Sequence, residues 1–323
     1  MLGRLQIVAL ACGLIAGIAA PAALAGANSA VVSNFVSGLA ATPGGGGYWV
    51  VRQVGAVDHH GAAGDHGDAA GLPGSAPVVG IAPTSSGNGY WLAATDGGVF
   101  TYGDASFFGS AVSPCAPGSA CPAPNCPAGD AHPDPRCSTG GTAIVGIAAA
   151  PDGGYWLAAG NGGVLAFGPA PDYPAGPMVP PHTGCTEAED ANACHWGRAV
   201  VGISASSTNV ATVAADGEVR ARGPNAYATA VNVMMIAPAT GVAMTPDGSG
   251  AWVVGRDGGV FALNAPFYGS AVPLRPAAAM VGIVATPTGH GYWLVGADGG
   301  VFTFGDARFF GASVGQGLGS PSA

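Results

Sequence analysis

The chain has 323 residues, nine basic and eighteen acidic side chains, a net charge of −9 and only 8% charged residues. With no lysine and no basic cluster, it lacks the positive charge that phosphate backbones require, so nucleic-acid binding is excluded as a function class. Fifty-seven glycines and 27 prolines interrupt every segment and leave no room for long amphipathic helices.

In chain order, residues 1–25 carry Arg4, an apolar run from Leu5 to Ala20 and the small residues Ala23-Leu24-Ala25, the pattern of a secretory signal peptide. That run is shorter than the ~20 residues a membrane-spanning helix needs, and no later segment reaches this length without glycine or proline, so no span is expected after signal removal. A short segment, 26–34, leads into a repeat region expected over 35–314, and a glycine-rich flexible tail is expected over 315–323.

The repeat is plainest where GYWLVGADGGVFTFGDARFFG (291–311) is set beside GYWLAATDGGVFTYGDASFFG (89–109), which differ at five of 21 positions. Further copies start at Gly154 and Gly250, and a degenerate copy follows Asn209. Trp49, Trp91, Trp156, Ala211, Trp252 and Trp293 mark six units at spacings of 42, 65, 55, 41 and 41 residues. A period near 41 falls in the range of four-stranded propeller blades. Within a unit, VGIVATP and GYWLVGA read as two strands, and Asp-Gly-Gly reads as a hairpin into a third, GVFTFG. The Asp-Ala step with its aromatic pair reads as a fourth strand. The expected fold is therefore all-β, a propeller of six four-stranded blades.

The two long spacings contain insertions at about 113–140 and 175–197, which hold Cys115, Cys121, Cys126, Cys137, Cys185 and Cys194. An even number of cysteines in an exported chain points to disulfides, with fifteen pairings open, and the gaps lack the close spacing of structural zinc sites. A proline- and glycine-rich loop buries too little apolar surface to hold a shape unaided, so cross-links are the expected substitute.

The pattern GYWLVxxDGGVFxFGDAxFxGS resembles repeats of exported actinobacterial proteins, often found beside cell-wall or hydrolase domains. The resemblance spans about residues 35–314 and implies a propeller-like accessory or binding module. It carries no catalytic residue.

Blade one departs from the pattern. Aligning Trp49 with Trp293 puts Asp58 at the place of Phe302, His60 at Phe304, Asp65 at Phe309 and His66 at Phe310. Two imidazoles and two carboxylates could hold a divalent metal where an aromatic cluster stood; the competing readings are a frayed terminal blade whose side chains face water, and histidines satisfied by ordinary hydrogen bonds. In the degenerate unit Arg220 and Arg222 fall at the Phe302 and Phe304 places, which suits an acidic partner. Trp196, beside His195 in the second insertion, stands outside the repeat and is a candidate ligand contact. Asp96, Asp257 and Asp298 each precede a hairpin glycine and read as turn residues; Asp104 and Asp306 read the same way, with calcium as the lesser reading. The sequence contains no nucleophile elbow, no His-Glu-x-x-His and no phosphate loop, and has only three glutamates.

These readings give a secreted, monomeric, non-catalytic propeller without cofactor, cell-wall associated or free, that binds an extracellular protein or glycan. The alternatives are a metal-dependent hydrolase or lactonase using Asp58, His60, Asp65 and His66, and a purely structural surface protein.

Overall fold

The structure is a computed structural model, and it describes residues 34–72, 75–112, 142–173, 199–224, 228–229 and 235–314. Strands dominate, and among the described residues no helix is long and apolar enough to cross a membrane. The strands form six antiparallel sheets in chain order, an arrangement compatible with a β-propeller. The first sheet is β1 (Val36–Ala41), β2 (Gly47–Arg52) and β3 (Val57–Gly61), and the second is β4 (Val78–Pro83), β5 (Gly89–Ala94) and β6 (Val99–Gly103). The third is β7 (Ile144–Ala149), β8 (Tyr155–Ala159) and β9 (Val164–Phe167). The fourth is β10 (Val200–Ala205), β11 (Val210–Ala214), β12 (Val219–Arg222) and β13 (Ala228–Thr229). The fifth is β14 (Ala239–Met244), β15 (Ala251–Gly255) and β16 (Val260–Leu263), and the sixth is β17 (Met280–Ala285), β18 (Gly291–Gly296) and β19 (Val301–Gly305).

The apolar second strand of each unit is buried along its whole length, because its two faces pack against different neighbouring sheets. The hairpin into the third strand forms as the Asp-Gly-Gly step requires. In the sixth sheet Gly299 adopts φ +91°, its N–H returns to Gly296 O at 2.9 Å, and Asp298 Oδ1 accepts the Gly300 N–H at 3.0 Å.

The number of strands per sheet corrects the sequence expectation. Five sheets have three strands, and a fourth strand occurs among the described residues only as the two-residue β13. The Asp-Ala-aromatic segment does not join the ladder because side chains of the core take its carbonyls. Trp49, Trp91, Trp156, Trp252 and Trp293 donate their indole N–H to Gly64, Ser106, Pro171, Pro266 and Arg308 O at 2.7–2.8 Å. From the next sheet along, the hydroxyls of Tyr155 and Tyr292 reach Gly109 O at 2.5 Å and Gly269 O at 2.6 Å, and Tyr90 bonds Gly67 O. Tyr48 of the first sheet makes the same bond to Gly311 O beyond the sixth, at 2.5 Å. Burial raises the pKa of all four tyrosines, Tyr292 to about 12, so they are neutral donors at physiological pH.

The core lies between sheets. Six apolar clusters each join two neighbouring sheets, and one of them combines Val36, Tyr48 and Val50 of the first sheet with Trp293 and Val295 of the sixth. Trp–Tyr ring pairs recur across these seams: Trp49–Tyr90 at 5.6 Å, Trp91–Tyr155 at 5.4 Å, Trp252–Tyr292 at 5.5 Å and Trp293–Tyr48 at 5.9 Å. Four of the five tryptophans therefore occupy equivalent surroundings; Trp156 meets Val210 in the fourth sheet, where those four seams have tyrosine.

Candidate functional site

The register confirms the alignment of the first sheet on the sixth: Asp58 pairs with Val50 and His60 with Tyr48, as Phe302 pairs with Leu294 and Phe304 with Tyr292. The four candidate metal ligands do not converge, however. Asp58 and His60 share the face of β3 that meets the sixth sheet, where His60 Nε2 lies 3.0 Å from Ser313 Oγ. His66 is in the opposite seam, against Trp49 and Tyr90, with Nε2 3.4 Å from Gly87 O; Asp65 is exposed and accepts the Gly67 N–H at 3.0 Å in a local turn. Among the described residues no group of three or more metal-ligating side chains is assembled.

Both histidines take the places that aromatic residues hold in the other sheets. His60 packs on the Tyr48 ring at 5.4 Å, as Phe304 packs on Tyr292 at 5.6 Å. The contact of His66 with Gly87 O reproduces the bond from Tyr268 Oη to Gly289 O, 3.2 Å long in the fifth-to-sixth seam. Each imidazole combines an aromatic face with a polar edge, so it can replace Phe or Tyr without leaving the fold.

The reason for Asp58 lies in a residue that sequence reasoning passed over, Arg52. At the end of the second strand the other sheets have Ala94, Ala159, Ala214, Gly255 and Gly296. The Arg52 side chain is 6% exposed; its Nε meets Asp58 Oδ2 at 3.3 Å, Nη1 donates to Asn34 O at 3.0 Å, and Nη2 donates to Ser313 O at 2.6 Å. A single guanidinium thus ties together the entry into the first sheet, its third strand and the segment after the sixth. The Val36 N–H adds a bond to Ala297 O at 3.0 Å, equivalent to the bonds by which each later first strand begins on the sheet before it. The available sequence signal was a lone arginine at a small-residue position in the same unit as the Phe-to-Asp change.

This seam sets a pH dependence. Burial lowers the His60 pKa below 6.5; the adjacent His59 charge adds to the shift and Asp58 opposes it. A base with a depressed folded-state pKa binds protons more readily when unfolded, so its contribution is intact above pH 6.5 and declines as pH falls through the lower folded value. Thermal unfolding measured from pH 7.5 downwards is expected to show Tm falling below about pH 6.5. In His60→Phe, which restores the side chain of the sixth sheet, this loss should shrink; an unchanged pH profile would assign the dependence to other groups.

The arginines of the fourth sheet stand where the alignment put them, with Arg220 opposite Thr212 and Arg222 opposite Val210. Arg220 Nε pairs with Glu218 Oε1 at 2.8 Å. Arg222 Nη2 donates to Gly162 O at 3.0 Å, while Nη1 is buried without a hydrogen-bond partner, and burial together with the Arg220 charge lowers the pKa of this guanidinium. Arg222 therefore serves the third-to-fourth seam, and Arg220 is engaged by Glu218 within its own sheet.

The repeated carboxylates are turn and loop ties. Oδ1 of Asp96 and of Asp257 accepts the N–H two residues on, at 2.9 and 3.0 Å. Asp104 accepts the hydroxyls of Ser86 at 2.5 Å and Thr84 at 2.8 Å, and these bonds lower its pKa. Asp306 is held by Thr288 and by Thr286; burial works against its ionisation, but these bonds together with the nearby His290 charge and a backbone bond lower its pKa. These hydroxyls take up the carboxylate oxygens that a calcium ion would need. His195, Trp196 and all six cysteines of the insertions, Cys115, Cys121, Cys126, Cys137, Cys185 and Cys194, lie outside the described residues.

A cavity of about 580 Å³ lies among the first strands of all six sheets. Each first strand contributes the same short stretch, such as Ser37–Thr42 or Val281–Thr286, and among the described residues none of the lining side chains is ionisable or aromatic. The strands come close because each has a glycine at the same place. A Cβ on Gly241 would stand 3.3 Å from Gly282 Cα, so a side chain there would push neighbouring strands apart.

Against known proteins, the chain matches no family model and no curated sequence.

Proposed function

We propose that this chain is an exported, non-catalytic, six-bladed propeller, closed between its first and last sheets, that binds an extracellular or cell-envelope ligand, either protein or glycan. Closure is supported by the apolar cluster, the Trp–Tyr pair, the tyrosine–carbonyl bond and the Arg52 network, which repeat or reinforce between the sixth and first sheets what holds the other seams. One observation carries the binding reading. The cavity shared by all six sheets is large enough for a ligand and, among the described residues, presents no acid, base or nucleophilic thiol, so it offers binding surface without catalytic groups. The hydrolase alternative loses its support, since Asp58, His60, Asp65 and His66 are divided between two seams and engaged within them.

Rigid strands leave variation to the connections between them; the sequence lengthens two of these connections, at about 113–140 and 175–197, and the second carries the candidate contacts His195 and Trp196. Purified protein mixed with cell-envelope and polysaccharide fractions is expected to be retained saturably in at least one of them. If it remains wholly unbound with envelope, glycan and secreted-protein fractions, the binding reading fails and the structural-spacer alternative takes its place.

A further inference from the structure

The central cavity has a chemistry that selects its ligand. Each first strand pairs with a partner on one side alone, so its other edge is free of a ladder and offers backbone N–H and C=O groups. The half-buried side chains at one equivalent position of the six strands are Ser37, Val79, Val145, Val201, Thr240 and Val281: four aliphatic groups and two hydroxyls. Those two hydroxyls make only long bonds, 3.4 Å from Ser37 to Val51 O and 3.4 Å from Thr240 to Val254 O, which leaves them available to another partner.

We infer that this cavity is a binding site for an uncharged small molecule with an apolar body and a few neutral hydrogen-bonding groups. Its volume of about 580 Å³ lies inside the roughly 300–1,000 Å³ of small-molecule sites, which are likewise lined by apolar groups with a few placed polar ones. A charged ligand would lose its hydration and find no counter-charge on the wall, a cost that neutral amides and hydroxyls only partly offset. The inference rests on the binding-module reading and adds to it a small-molecule site, with a charge class and a place.

Two dyes that share a ring system separate the outcomes: uncharged N-phenyl-1-naphthylamine and its sulfonated relative 1-anilinonaphthalene-8-sulfonate. The uncharged dye is expected to bind saturably with a stoichiometry of one, and the sulfonate at least about tenfold more weakly, about 1.4 kcal/mol. Val145→Phe and Val281→Phe fill the cavity from two different sheets. Either variant, if its Tm is close to that of the parent, should abolish binding of the uncharged dye. Should one of them fail to fold, the other carries the test, and dye stoichiometry on the parent protein stands independently of both. Equal affinity for the two dyes, a stoichiometry well above one, or binding that survives a folded cavity-filled variant overturns the proposal. Retention of that folded variant by a cell-envelope fraction that also retains the parent would leave the binding module intact and remove the cavity as its site. If no fraction retains either protein, the broader reading fails instead.

Discussion

Replacing Arg52 by methionine is expected to destabilise the protein by about 3 kcal/mol and to lower Tm by about 6–12 °C. The change removes the hydrogen bonds to Asn34 O and Ser313 O and leaves Asp58 without its counter-charge. Deleting one partner of a buried pair costs more than the pair contributes, because the remaining charge is left desolvated. Asp58 is still 30% exposed, which places the effect at the lower end of the range for such deletions. Adding Asp58→Phe to the methionine variant restores the side chain that the sixth sheet has at Phe302 and should recover about 1–2 kcal/mol. Asp58→Phe alone should be destabilising, since it strands the guanidinium instead. A double variant no more stable than Arg52→Met would show that the polar changes in the first sheet are not a response to Arg52.

Much of this architecture could be read before the fold was known, for a physical reason. Each unit must bury the same second strand between two neighbours, so tryptophan, tyrosine and the turn glycine recur at fixed spacing, and six units appear as a period. Among the described residues the expected fourth strand is absent from five sheets, because an aromatic-rich segment after a hairpin resembles a strand only in composition. That its carbonyls go to the Trp indoles and to the next sheet's Tyr hydroxyls is a tertiary fact with no local signature. The altered stretch of the first sheet was correctly located, yet its chemistry was not legible. His60 and Asp58 point into a seam whose other wall is some 250 residues away in sequence, at Ser313, and their purpose depends on Arg52, which lies inside an otherwise apolar strand. The central cavity is legible only after the fact, as one glycine repeated at the same place in each first strand.

The fourth sheet supplies the second large prediction, because it contains a natural deletion of the tryptophan. Ala211 is fully buried where the other five sheets have Trp, and its seam with the fifth sheet is filled by Met235 and Met244. Met244 stands where the other first strands end in Ala41, Pro83, Ala149, Ala205 and Ala285, so the lost indole volume is returned by a flexible side chain from the next sheet. No such replacement faces Trp91, which is 2% exposed, donates to Ser106 O at 2.7 Å and packs on Tyr155 at 5.4 Å. Trp91→Ala should therefore cost about 4 kcal/mol through lost burial and a residual cavity, read as a lower urea midpoint by far-ultraviolet circular dichroism. Adding Ala149→Met reproduces the Ala–Met pair of the fourth and fifth sheets, with Tyr155 standing where the fifth sheet has Ala251, and is expected to return about 1–2 kcal/mol. The reverse change, Ala211→Trp, would overfill a seam already occupied by methionine and cost about 1–3 kcal/mol, and Met244→Ala in the same chain should relieve it. If Ala149→Met deepens the loss at Trp91 and Met244→Ala deepens that at Ala211, the seams are not interchangeable, and the equivalence of the six units ends at the backbone.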